Sequence, residues 1–84
     1  MTQALTRDQA TAAVRTALAG FATEAELAEL PPGESLREAL ELDSMDFLTF
    51  VERLSQRLGR RIEEADYPRL ATVDSAADFL TADR

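Results

Sequence analysis

The 84-residue chain contains no cysteine, no histidine, no lysine and no tryptophan. Without cysteine there can be no disulfide, no zinc thiolate and no thiol nucleophile. Without histidine the commonest general base and the commonest metal ligand are both missing. No apolar run approaches the roughly 18 residues that a membrane-crossing helix requires. The opening "MTQALTRDQATAAV" lacks the charged-then-apolar layout of a secretory signal. These absences lead us to expect a cytoplasmic protein that stays off the membrane; carboxylates alone still permit an enzyme, with a short tool kit, but a non-catalytic role is the expectation.

What is present is an apolar but acidic chain. Hydrophobic residues make up 45% of it, which argues against intrinsic disorder, and the length suits one domain spanning residues 1–84. The net charge is −7, and its placement says more than its size. Between Glu24 and Asp46 stand eight acids and one base, Arg37, which accounts for the whole net charge; elsewhere acids and arginines balance. Such a field disfavours nucleic acid and anionic membranes and favours basic protein surfaces, or it merely keeps a monomer soluble.

Hydrophobic periodicity predicts helices and no strands. In "TRDQATAAVRTALAG", Thr6 and Gln9 have capping-box spacing, and Ala10, Val14, Ala17 and Leu18 share one helical face. The small side chains on that face allow a neighbouring helix to come close, and Gly20 is the natural stop. Residues 22–43 read as a long first loop broken by "LPPG", with a short helical turn around Ser35–Leu40. Five leucines (Leu27, Leu30, Leu36, Leu40 and Leu42) predict that this loop is pinned to the core.

The strongest signal, "SMDFLTFVERLSQRLG", predicts a helix from Ser44 to about Leu58. Phe47, Phe50, Val51, Leu54 and Leu58 form its core stripe, each contributing about 1.5–3 kcal/mol if fully buried. Met45 and Leu48 flank that stripe on a row that continues to Glu52 and Ser55, towards solvent. They either widen the core or face a partner or cargo. After Gly59, Pro68 limits the next helix to a turn or two around Glu63–Tyr67. The last helix is capped by Thr72 and buries Val73, Ala76, Ala77 and Leu80. The predicted fold is all-α: a small four-helix bundle of three main helices and one short third helix, with a long first loop.

Ser44 lies between Asp43 and a second acid, Asp46, where the second main helix begins. No partner exists to make it a hydrolase nucleophile, since there is no histidine and no G-x-S-x-G turn. Phosphate-loop, dinucleotide and EF-hand patterns are also missing, and two carboxylates alone make a weak cation site. Two readings remain. Ser44 is an ordinary N-cap, or it is an attachment point whose ester the free amides and dipole of the helix would favour. An acidic helical adaptor that docks on a partner without any prosthetic group is consistent with the first.

"LELDSMDFLTFVERL" resembles the attachment motif of acyl carrier and peptidyl carrier proteins, and the resemblance extends over nearly the whole chain. It implies a freestanding carrier of acyl or aminoacyl thioesters on a 4′-phosphopantetheine arm attached to Ser44, with Asp43 helping to position the magnesium used in transfer. It implies that Met45, Leu48 and Asp46 face enzymes beside the arm and that Ile62 lines an acyl-facing cleft. The implied partners are a phosphopantetheinyl transferase, an acyl- or aminoacyl-loading enzyme and downstream synthases or transferases. The cargo thiol then belongs to the cofactor, in keeping with a chain that has no cysteine. The sequence departs from that family at Glu41, where glycine is usual. It departs again along the second helix, where Thr49, Ser55 and Gln56 replace acids and Arg53, Arg57, Arg60 and Arg61 follow. The departures point to fatty-acid synthesis less than to a specialised polyketide, peptide or aminoacyl pathway.

Overall fold

A computed structural model describes residues 5–81. The elements run α1 (Arg7–Ala17), α2 (Glu24–Glu29), α3 (Leu36–Ala39), α4 (Ser44–Leu58), a 3-10 helix (Glu64–Leu70) and α5 (Val73–Thr81). Among the described residues there is no strand, only an isolated bridge between Ala19 and Ala22. The predicted all-α bundle is therefore present: α1, α4, the 3-10 helix and α5 are its four helices, and α2 and α3 lie within the long first connection.

The capping box of α1 forms as its spacing predicts. The Gln9 amide donates to Thr6 Oγ1 at 3.0 Å and the Thr6 amide to Gln9 Oε1 at 2.9 Å. The helix ends at Ala17, earlier than Gly20: the fully buried Leu18 still donates to the Val14 carbonyl at 3.2 Å, but the bonds that follow tighten to three-residue spacing, Ala19 to Thr16 at 3.1 Å and Phe21 to Leu18 at 3.0 Å. The buried residues of α1 are Ala10, Ala13, Val14 and Ala17, and those of α5 include Ala76 and Ala77. Small side chains on both helices let their axes approach, and α1 packs more extensively on α5 than on any other element. Arg7 also joins them, pairing with Asp74 at 3.0 Å and with Asp78. Its hydrogen bond to Asp78 raises the already high pKa of its guanidinium.

The loop predicted for residues 22–43 holds one more helix than its composition suggested. Thr23 and Glu26 form a second capping box, with amide-to-side-chain distances of 3.1 and 2.8 Å, and start α2. Arg15 Nε donates to the Leu27 carbonyl at 3.2 Å, which fastens α2 to α1. Pro31 and Pro32 then exclude helix, and the chain is stitched to the start of α5. The Leu36 amide donates to the Ala71 carbonyl at 2.8 Å, and the Asp74 amide to the Pro32 carbonyl at 2.9 Å. Of the five leucines, Leu27, Leu30, Leu36 and Leu42 are buried and Leu40 is partly so, which is the pinning their number predicted.

The α4 helix buries Phe47, Phe50, Val51 and Leu54, with Leu58 partly covered. It stops at Gly59, whose φ of 82° is left-handed and strained for any residue with a β-carbon. Arg53 reaches back from α4 to the end of α1, donating to the carbonyls of Ala17 (3.1 Å) and Ala19 (2.7 Å). The 3-10 helix passes through Pro68 and reaches Leu70, further than Glu63–Tyr67. Proline removes only one donor, and the fully buried Leu70 anchors the end of the run. Thr72 Oγ1 accepts from the Ser75 amide at 2.9 Å and so caps α5 as predicted. Phe79 joins the predicted stripe of α5 as a further buried residue.

Candidate functional site

The α4 helix begins one residue away from where a serine cap would put it. Asp43 is the N-cap, with extended backbone, and its Oδ1 accepts the Asp46 amide at 2.8 Å. Asp46 Oδ2 accepts the Asp43 amide in return, at 3.3 Å. An acid three residues after an acid completes this reciprocal box, so Ser44 is the first helical residue and not the cap. The local side-chain hydrogen bonds leave its hydroxyl out, and Ser44 is exposed. The amides of Ser44 and Met45 belong to the first turn, which has no intrahelical carbonyl to bond, and they sit at the positive end of the helix dipole.

Ser44 stands on the wall of a cleft of about 420 Å³ between α4 and the 3-10 helix. Phe47 and Leu48 continue the α4 wall, Tyr67, Pro68 and Ala71 line it from the 3-10 helix and its cap, and Ser35 and Arg37 line it from the start of α3. Tyr67 meets Phe47 edge-on at 5.8 Å between ring centroids, and Phe47 in turn touches Phe50 of the core at 6.0 Å. This aromatic line fixes the cleft to the bundle. The Arg37 guanidinium lies 5.7 Å from the Phe47 centroid.

The residues singled out in the sequence divide into three groups. Ser44 and Leu48 share the cleft. Met45 is 73% exposed and Leu48 44%, the two large apolar side chains left most open among the described residues. Their row leads outwards, and neither widens the core in the way Phe47 does. Ile62 is buried and lines a second depression of about 550 Å³ with Val51, Glu52, Ser55, Gln56 and Arg61. Leu48 and Tyr67 border both depressions, so Ile62 lies on the far side of that pair from Ser44. Asp43 and Asp46 turn towards each other's backbone. Arg37 and Tyr67 were not singled out; the one usable signal for Arg37 was its solitude among eight acids.

The model of a family described as the phosphopantetheine attachment site matches residues 12–80, most of the chain. The chain belongs to the phosphopantetheine attachment-site family. Among curated relatives, the acyl carrier protein of Rubrobacter xylanophilus is 33% identical over 52 residues, which is 62% of this chain and 64% of that protein. The acyl carrier proteins of Myxococcus xanthus and Micrococcus luteus are each 31% identical over 58 residues; these cover 69% of this chain and 73% and 72% of the two relatives. The match to the Rubrobacter protein thus falls just short of two thirds of its length. No solved structure matches the chain.

The family's group is 4′-phosphopantetheine, held covalently. Such an arm needs an accessible hydroxyl for its phosphate ester, surroundings that tolerate an anion, and a partly apolar track for its amide-bearing chain. Across the described residues the α4 cleft supplies these features together: an exposed serine, two open helix amides, a guanidinium in the lining and aromatic and leucine walls. The residues present fit the group. No described helix is long and apolar enough to cross a membrane.

Proposed function

We propose that Ser44 is the attachment residue and that the protein carries an acyl or aminoacyl group as a thioester on the arm. The observation that supports this best is an exposed Ser44 in the first turn of α4, opening onto an apolar cleft in a chain of this family. In the attachment step the Ser44 oxygen forms a bond to the phosphorus that bears the pantetheine of coenzyme A. The pyrophosphate P–O bond breaks, 3′,5′-adenosine bisphosphate leaves, and the hydroxyl proton passes to a base of the transferase. The chain's own contribution is to present the hydroxyl, to favour the new anion with open amides, and to give the arm a surface.

The partners in this reading are the phosphopantetheinyl transferase, an acyl- or aminoacyl-loading enzyme and downstream synthases or transferases. Met45, Leu48 and Asp46 lie beside Ser44 and form the surface these enzymes meet, with the acidic 24–46 segment drawing basic patches. Ile62 receives the apolar part of a cargo that folds past Leu48. The protein works as one monomeric carrier domain in the cytoplasm.

A specialised pathway is the reading that α4 favours, although part of the argument from its composition has a structural cause. Thr49 donates to the Met45 carbonyl at 3.1 Å, Ser55 accepts the Ile62 amide at 3.2 Å, and Arg53 ties down α1. Arg60 and Arg69 stack on Phe79. Arg57 lies on the α1 side, beside Gln9 and Thr16, which leaves Gln56 and Arg61 as exposed non-acidic residues that partners of a different surface chemistry would meet.

Incubating the apo protein with coenzyme A, magnesium and a broad-specificity transferase should add one phosphopantetheine by intact mass. Ser44→Ala should add none. Addition to the alanine variant, or none to the parent, overturns the assignment.

A further inference from the structure

The acidic segment from Glu24 to Asp46 holds one base, and that base lines the cleft with Ser44. The backbone of Arg37 is fixed on both sides. The Leu36 amide is bonded to the Ala71 carbonyl at 2.8 Å with the Leu36 side chain fully buried, and the carbonyl of Arg37 itself accepts the Leu42 amide at 3.0 Å. Its guanidinium rests against the Phe47 ring, and Phe47 lies three residues, close to one helical turn, beyond Ser44. Among the described residues no carboxylate lies within ion-pair distance of Arg37, and Asp43 and Asp46 bond each other's amides. A cation surrounded by acids in the sequence is thus held on an aromatic face lining the cleft, with its hydrogen-bonding fork free.

An arm on Ser44 adds a full negative charge between two carboxylates, where like charges repel. Two helix amides offset only part of that. A guanidinium matches a phosphodiester both in charge and in its paired donors. We propose that Arg37 binds the phosphodiester of the arm and thereby lays the arm along the Phe47–Tyr67 walls of the cleft. The inference rests on Ser44 being the attachment residue. Arg37 acts as a positioning residue: it takes no part in bond making, and it selects one resting direction for the arm.

The test uses the cargo-free holo protein, in which the arm carries the phosphate as its only anion. The parent, Arg37→Gln, Arg37→Lys and the control Arg57→Gln are each loaded with coenzyme A and transferase, and loading is checked by intact mass. The readouts are the phosphorus-31 resonance of the holo form and the Arg37 Nε–H signal in apo and holo protein. We expect the Arg37 signal to move on loading and to return towards its apo position at high salt. The phosphorus resonance should shift in Arg37→Gln, shift less in Arg37→Lys, and coincide with the parent in Arg57→Gln. Arg37 is exposed, so its variants keep the fold. An Arg37 signal unchanged by loading, with overlapping phosphorus resonances in parent and Arg37→Gln, overturns the proposal. So does a change that appears only when a carboxylate-bearing cargo is added, which would make Arg37 a cargo reader. A parent that takes up no phosphopantetheine removes the Ser44 assignment first, and the mass measurement shows this before any resonance is compared.

Discussion

The amide of Leu42 bonds to the carbonyl of Arg37 at 3.0 Å, closing the end of α3 in a turn whose tip, Glu41, has a left-handed φ of 55°. A six-to-one bond with a left-handed residue just past the cap is the Schellman arrangement, and Leu42 completes it by entering the core beside Leu36. Glutamate keeps its β-carbon in a region that glycine occupies without strain. Glu41→Gly should therefore stabilise the protein by about 0.5–1 kcal/mol, after allowance for the greater freedom of glycine in the unfolded chain. Glu41→Val should destabilise it by at least as much. Urea unfolding midpoints at constant slope decide both.

Glu41 also shows how far the sequence could be read. Its position, where carrier proteins usually have glycine, was visible as an oddity; that the backbone there is left-handed was not, since φ depends on the turn closing behind it. The amphipathic stripes of α1, α4 and α5 were legible because each repeats over two or more turns and meets the core along one face. α2 was not, because its six residues bury one leucine, Leu27, and offer no repeat. Thr23 followed by Glu26 was the cue that could have revealed it, as Asp43 followed by Asp46 could have shown where α4 starts. The cleft was the least legible feature. It brings Arg37, Ser44 and Tyr67 together through the stitching of the loop to α5, and no spacing along the chain encodes that.

Arg53 connects elements far apart in sequence. It donates to the Ala17 and Ala19 carbonyls, which the end of α1 leaves without intrahelical partners, and its guanidinium lies 5.3 Å from the Phe21 centroid. Arg53→Met should cost about 1–2 kcal/mol of stability, since it leaves these carbonyls to solvent and removes the stacked charge. Arg53→Lys should recover less than half of the loss, because a single ammonium cannot reproduce the planar fork over the ring. Chemical denaturation of the three proteins gives the comparison.

Met45 separates recognition from folding. Its side chain is largely in solvent beside Ser44, so Met45→Ala should change stability by less than about 0.5 kcal/mol. If it meets the transferase, kcat/KM for modification should fall about tenfold, the kinetic equivalent of about 1.4 kcal/mol. Arg57→Ala, at the far end of α4, should leave that rate unchanged. A Met45→Ala protein modified as fast as the parent would take Met45 out of the docking surface.

Asp43 and Ser44 are neighbours, and the proposed reading gives them different tasks that three variants can separate. Asp43→Ala removes the acceptor for the Asp46 amide and opens the reciprocal box, so it should lose about 1 kcal/mol. Ser44→Ala should lie within about 0.5 kcal/mol of the parent, because a first-turn serine supplies no cap and alanine is the better helix former. A serine that were itself the cap would give the reverse order. Asp43→Asn keeps an oxygen for the Asp46 amide, and asparagine caps as well as aspartate, so stability should be retained. It removes the charge beside the Ser44 hydroxyl. Asp43→Asn should consequently accept phosphopantetheine more slowly than the parent at equal stability, and a rise in magnesium should restore part of the rate if the charge acts by holding that ion. Equal rates for the two proteins would confine Asp43 to capping, with its charge playing no part in the modification of the neighbouring hydroxyl.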